Sequence, residues 1–175
     1  DGPRMQAITE RLRAEELAPK ERGKGSNVWN CFGFLLASEK AQVVALHDCD
    51  VLTYDRGLLA RLLYPVAHPT FNFVFSKGYY PRYAEGKLNG RVSRLLVTPL
   101  LRALKGVVGQ DELLSYLDSF RYPLAGEFAM DFQCLKELRI PSDWGLEIGV
   151  LSEVRQNYST RRVCQVDIAD VYDHK

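Results

Sequence analysis

The sequence predicts an α/β fold, and three observations carry that prediction. A nearly continuous apolar run, Ala41-Gln42-Val43-Val44-Ala45-Leu46-His47, reads as a strand buried on both faces, hence a central and parallel one. Segments with helical spacing alternate with short strand-like segments along the chain. The 175 residues, 46% hydrophobic and 26% charged, hold enough apolar material for one domain whose core needs no disulfide or metal staple.

In chain order, residues 3–18 read as a helix. Asp1 can cap it, Pro3 suits its first turn, and Met5, Ile8, Leu12 and Leu17 share one face opposite Arg11, Arg13, Glu15 and Glu16. Residues 19–25 form a polar, glycine-bearing loop. A second helix over 26–38 turns Trp29, Phe32 and Leu36 inward, and the strand at 41–47 ends in Asp48-Cys49-Asp50. A helix over 55–64 stops at Pro65, and Phe71–Tyr80 alternates as a strand does. After a polar loop at 83–90, residues 91–104 form a helix. Val92, Leu95, Leu96 and Leu100 are its apolar stripe, and Pro99 should kink it. A short helix at 111–117 precedes a loop or irregular strand at 121–130, with helices at 131–138 and 147–157 and a last strand at 162–168.

Charge excludes some functions. Lys plus Arg is 23 and Asp plus Glu 22, a net charge of +1, so no bulk field favours nucleic acid or an anionic membrane. An acidic ligand then needs a local basic cluster. The four cysteines, Cys31, Cys49, Cys134 and Cys164, form no C-x-x-C pair and suit reduced core thiols in a cytoplasmic protein. No apolar stretch reaches the length of a membrane span, and no signal peptide is readable. The chain opens Asp1-Gly2-Pro3-Arg4 without a methionine, which raises the expectation of a missing upstream segment.

Asp48 and Asp50 stand at the carboxyl end of the buried strand, the edge where open α/β sheets gather ligands. Two carboxylates one residue apart can share a hard divalent cation, Mg2+ or Mn2+, together with phosphate oxygens. The same pattern also fits a solvated turn whose acids cap the next helix. Haloacid-dehalogenase-like phosphatases use such a pair, with the first Asp as nucleophile. Their motif wants Thr or Val two residues after the second Asp, where this chain has Leu52, with Thr53 one place late. Glycosyltransferases of the GT-A fold use the pair to hold a metal that bridges a nucleotide-sugar diphosphate and offsets charge on the leaving group.

Further motifs follow the same order and separation as those of one family. Gly23-Lys24-Gly25 precedes a helix, and Asn89-Gly90-Arg91-Val92-Ser93 opens another. Tyr122-Pro123-Leu124-Ala125-Gly126-Glu127-Phe128 and Trp144-Gly145-Leu146-Glu147-Ile148-Gly149 come next. From about Gly23 onward the chain resembles the glucosyl-3-phosphoglycerate and mannosyl-3-phosphoglycerate synthases, retaining, metal-dependent GT-A enzymes. The resemblance implies a Rossmann-like sheet with helices on both faces. It implies transfer of a hexose, glucose ahead of mannose, from a UDP- or GDP-linked donor to the 2-hydroxyl of 3-phosphoglycerate. A homodimer is a further expectation.

By the same resemblance, Lys24 contacts the nucleotide-sugar and Asp48 and Asp50 are the metal-binding pair, Asp50 the more direct ligand. Gly90, Arg91, Val92 and Ser93 hold 3-phosphoglycerate, Glu147 lies by the donor sugar, His174 joins the metal shell, and Leu124 offers a backbone carbonyl near the reacting centre. The chemistry suits these residue types. Arg91 supplies forked donors for phosphate or carboxylate, and Gly90 allows close backbone approach. Glu147, flanked by glycines and apolar residues, must be hydrogen-bonded or functional.

Plainer readings stand beside these: Arg91 as a surface helix arginine, Lys24 as a solvated loop charge, Glu147 as an acid at a helix start, His174 as a tail histidine. His47, His68, Phe71, Phe73 and Phe75 read as structural, and Trp144 as core or sugar-pocket wall. Two departures from the family matter. Tyr172 stands where bacterial relatives carry arginine, and only 47 residues precede Asp48. The expectation is therefore a GT-A sheet without its amino-terminal strands, with a non-catalytic nucleotide-binding fragment as the alternative.

Overall fold

Hydrophobic side chains that alternate along short strands give a four-stranded sheet two apolar faces, and helices cover both. The computed structural model describes residues 2–18, 23–81 and 89–173, and the backbone alone at 83–84 and 87–88. Helices α1 (Pro3–Ala14) and α2 (Lys24–Ser38) lead into strand β1 (Val43–Leu46) and helix α3 (Arg56–Ala67). Strand β2 (Phe75–Tyr79) precedes a small hairpin of β3 (Tyr83–Ala84) and β4 (Lys87–Leu88). A π-turn at Ser93–Val97 runs into α4 (Thr98–Val108), followed by α5 (Glu112–Asp118) and β5 (Phe128–Asp131). Helices α6 (Phe132–Glu137) and α7 (Leu146–Asn157) and strand β6 (Val163–Asp167) complete the order.

The strands lie in the order β1-β5-β2-β6. β5 runs antiparallel to both its neighbours, whereas β2 and β6 are parallel. One face carries Val44, Phe75, Phe128 and Met130 against α2, α5, α6 and α7. The other carries Ala129 and Ile168 against Leu58 and Leu62 of α3. The α/β class with helices on both faces therefore holds. The expectation of a central parallel β1 does not: among the described residues β1 is an edge strand, paired antiparallel to β5, with only Val44 buried.

Other departures have local causes. α3 continues through Pro65, because the His68 amide still closes on the Tyr64 carbonyl at 3.0 Å and only the bond that Pro65 cannot donate is lost. Pro99 falls in the first turn of α4 rather than in a helix interior. The chain widens one turn earlier, where the Thr98 amide reaches back to the Ser93 carbonyl. The apolar stripe of Val92, Leu95, Leu96 and Leu100 faces outward, each side chain at least half exposed. No residue of α1 is buried, so Met5 and Ile8 do not enter the core. Cys31 and Cys49 are exposed, and only Cys134 is a buried thiol. No helix among the described residues is long and apolar enough to cross a membrane.

Candidate active site

One loop brings the amino termini of α2 and α7 together. A Cβ on Gly25 would collide with the Pro141 carbonyl, and one on Gly149 would collide with the Pro141 ring. The Ser26 amide donates to the Ser142 carbonyl at 3.0 Å. Glycine at both positions lets the two helix ends close on the same proline, and this apposition places Lys24 of α2 beside Glu147 of α7. The Lys24 Nζ donates to Glu147 Oε1 at 2.8 Å and to Asp48 Oδ1 at 2.6 Å. Burial of the ammonium works against its charge, but the hydrogen bonds and charges of Asp48 and Glu147 outweigh it and push the pKa up to about 12. Two of the three ammonium protons are thus committed, leaving one donor for a ligand among the described residues.

Asp48 is held from below. Its carboxylate rests on Gly126, and its amide approaches Glu127 Oε1 at 3.4 Å. Glu127 is fully buried and accepts from the Tyr172 hydroxyl at 2.5 Å. Tyr172 stacks on Tyr80 with ring centroids 3.5 Å apart, and Tyr122 meets Tyr80 edge-on. The Asp173 carbonyl accepts from the Leu52 amide at 2.8 Å, which ties the chain near its carboxyl end to the turn bearing Asp48 and Asp50.

These elements enclose a cleft of about 370 Å³. Lys24, Asp48, Asp50, Val92, Leu124 and Glu147 line it, so six of the sequence-predicted residues converge. Tyr80, Tyr122 and Tyr172 supply aromatic walls, and Trp144 stands at the lip, 95% exposed, which excludes the core role for it. The rest of the expected acceptor cradle is adjacent to the cleft. Gly90, at φ +75°, turns the chain into the helix, Arg91 is exposed, and the Ser93 hydroxyl is buried with no partner among the described residues. None of these three lines the cleft. His174 lies outside the described residues. A slightly larger cavity of about 400 Å³ beside α5, α7 and β6 lacks such convergence, since its Arg155 is neutralised by Glu112 at 2.5 Å.

No group of three or more candidate metal-ligating side chains occurs among the described residues. The donor set still fits Mg2+ or Mn2+, which take one or two carboxylates and complete their shell with phosphate and water oxygens. Charge points the same way. Lys24 in the cleft and Lys77 beneath it stand against Asp48, Asp50, Asp143, Glu127 and Glu147, a formal excess of three negative charges in and under the cleft. Lys77 is a support of the site that the sequence reading did not single out, and Gly126, Glu127 and the inward hydroxyl of Tyr172 take supporting roles that it did not assign them. The available signal was a charge inside an apolar segment, in Val74-Phe75-Ser76-Lys77 and in Gly126-Glu127-Phe128.

No protein-family model matches the chain. Over 175 residues, all of its length, it is 50% identical to the curated glucosyl-3-phosphoglycerate synthase of Persephonella marina and covers 43% of that protein. The synthase of Methanococcoides burtonii is 43% identical over 178 aligned residues, again with the whole chain matched and 43% of the relative covered. The chain thus spans less than half the length of these two relatives. A crystal structure of glucosyl-3-phosphoglycerate synthase from Mycobacterium tuberculosis, in complex with Mn2+, UDP-glucose and phosphoglyceric acid, matches with a TM-score of 0.69 at 26% identity. That match covers 94% of this chain and 51% of the other. Another structure of the M. tuberculosis enzyme, holding Mg2+ and UDP, matches with a TM-score of 0.69 at 25% identity.

Proposed function

We propose that this chain, homologous along its whole length to glucosyl-3-phosphoglycerate synthases, carries the cation-binding and acceptor-binding side of a retaining glycosyltransferase. The reaction would move glucose from UDP-glucose to the 2-hydroxyl of 3-phosphoglycerate. The observation that carries this reading is the convergence of Lys24, Asp48, Asp50, Leu124 and Glu147 on one cleft, with the Gly90–Ser93 segment at its side. Relatives with these names and ligands support it.

Asp50 and Asp48 would hold the divalent cation, with His174 as a third ligand. A bound Mg2+ or Mn2+ would supply positive charge for the departing diphosphate. Lys24 keeps Asp48 and Glu147 apart at a fixed spacing and has a proton left for a donor oxygen. Glu147 would accept from hydroxyls of the hexose. Arg91 and the amides that open its helix would clamp the acceptor's phosphate and carboxylate, and Ser93 would add a hydroxyl. The Leu124 carbonyl would face the reacting carbon. Retention is expected through attack from the same face that the diphosphate leaves, with the diphosphate taking the acceptor proton.

The test is a donor-by-acceptor screen on the natural full-length protein, with UDP- and GDP-linked glucose and mannose against 3-phosphoglycerate and related acids, and mass detection of product with and without Mn2+. Cation-dependent glucosyl transfer to 3-phosphoglycerate is the expected result. Nucleotide-sugar binding with no product over hours would replace this reading with a binding-only role.

A further inference from the structure

Lys77 and Glu127 are the charged side chains buried among the described residues. Glu127 has an evident task, since it receives the Tyr172 hydroxyl and the Asp48 amide. Lys77 has no such task in the reaction as described. It projects from β2 onto the apolar face, in register with Phe128, with its ammonium 5.6 Å from the Phe128 ring centroid and 2% of the residue exposed. A buried ammonium is unfavourable unless its protons and charge are matched. Among the described residues its hydrogen bond goes to the carbonyl of Ala125, and no carboxylate pairs with it directly. Glu147 and Glu127 offset its charge from farther away, as does Asp48, while Lys24 opposes it.

The position of Ala125 makes this bond informative. Its amide closes a turn on the Tyr122 carbonyl at 3.2 Å. The residue before it, Leu124, lines the cleft, and the residue after it, Gly126, is the surface on which the Asp48 carboxylate rests. A shift of the Ala125 peptide therefore moves the Leu124 backbone and the seat of Asp48 together. We infer that Lys77 is a positioning residue: from inside the core it holds the Ala125 carbonyl, and so sets the Leu124 backbone and the Asp48 carboxylate at their working separation across the cleft. Burial pushes the Lys77 amine down to about 8 despite the nearby acids, a cost the core would escape with an apolar side chain. The inference rests on the catalytic reading above for what the working separation serves.

Lys77→Met keeps length and volume and removes the donor and the charge. In the natural full-length protein it should fold, lower kcat by about 10-fold or more, and leave KM for UDP-glucose and 3-phosphoglycerate within about threefold, because ligand groups are untouched while the reacting geometry loosens. Lys77→Arg, which restores a donor and a charge, should recover most of that loss. A folded Lys77→Met enzyme with kcat within about threefold of the parent overturns the inference, as does a folded Lys77→Arg that recovers nothing. If Lys77→Met does not fold, hydrogen exchange in the unsubstituted protein decides. The Lys77 ammonium protons should exchange slowly enough to give their own NMR signal, as held and water-excluded donors do, and a signal lost to solvent exchange overturns the inference. Absence of transfer by the unsubstituted protein would count against the catalytic reading, and the exchange measurement would still judge the role of Lys77.

Discussion

The carboxylate of Asp48 lies directly over the Cα of Gly126: a Cβ built there would stand 2.5 Å from Oδ1 and 2.6 Å from Oδ2. The φ of Gly126 is not in the left-handed region, so its backbone conformation does not by itself require glycine. What demands glycine is the acid above it. Gly126→Ala should therefore displace Asp48 without altering the strand that follows. The expected outcome is a fall in kcat of about 10- to 100-fold, with a stability loss of about 1–3 kcal/mol from overpacking. Steady-state kinetics and denaturant titration of the same preparation measure both, and unchanged kcat would show that the seat is not critical.

Asp50 lines the cleft beside Asp48, yet the lysine that spans Asp48 and Glu147 does not pair with it. Among the described residues Asp50 is thus the one of these three carboxylates with both oxygens available for a cation. Asp50→Ala should abolish Mn2+-dependent transfer and leave the fold intact. On the proposed reading Mn2+ with UDP should stabilise the parent, by about 2.7 kcal/mol when ligand is 100-fold above its Kd, and Asp50→Ala should remove that stabilisation. A thermal-shift series with and without Mn2+ reads this independently of activity; equal shifts for parent and variant would remove Asp50 from the cation site.

The legible and illegible parts of this molecule divide along a physical line. Local chemistry was readable: an apolar run ending in Asp48-Cys49-Asp50, and glycines around Lys24 and Glu147, pointed to residues that do converge. Tertiary pairing was not. Periodicity says that Val44 is buried, but not that β5 rather than a parallel partner lies beside it. Lys77 shows the same limit, since a charge in an alternating segment normally reads as solvent-facing, and only the turn ahead of β5 reveals that its amine meets the Ala125 carbonyl. The separation of Lys24 from Glu147 in sequence left their apposition invisible, because it depends on Gly25 and Gly149 closing on Pro141.

The outward stripe makes a separate point about periodicity. Leu96 fits the helical spacing of a core residue, yet it is 58% exposed. Leu96→Lys should then alter unfolding free energy by no more than about 0.5 kcal/mol, as ordinary surface substitutions do. Leu151, fully buried in α7, provides the contrast: Leu151→Ala should cost about 2–5 kcal/mol. Denaturant midpoints of the two variants test the comparison, and a Leu96→Lys loss as large as that of Leu151→Ala would mean that another surface covers this stripe.

Lys24 and Lys77 should affect the pH dependence of stability in opposite directions. The pKa of Lys24 is raised to about 12 in the fold, so its contribution is complete below the ordinary lysine value near 10.5 and is lost as pH rises through 12. The pKa of Lys77 is lowered to about 8, so between pH 8 and 10.5 the unfolded chain binds a proton that the folded protein has released. Stability from this group must therefore rise with pH across that window, by on the order of 2–4 kcal/mol in all. Lys77→Met removes the effect, and its stability at pH 7 relative to the parent sums the relief of a buried charge and the loss of the donor to the Ala125 carbonyl. Urea titrations of parent and variant at pH 7, 8, 9 and 10 isolate the contribution, since other titrating groups cancel in the difference. The parent should gain on Lys77→Met as pH rises; a difference that stays constant across the series would place the amine's titration outside this window.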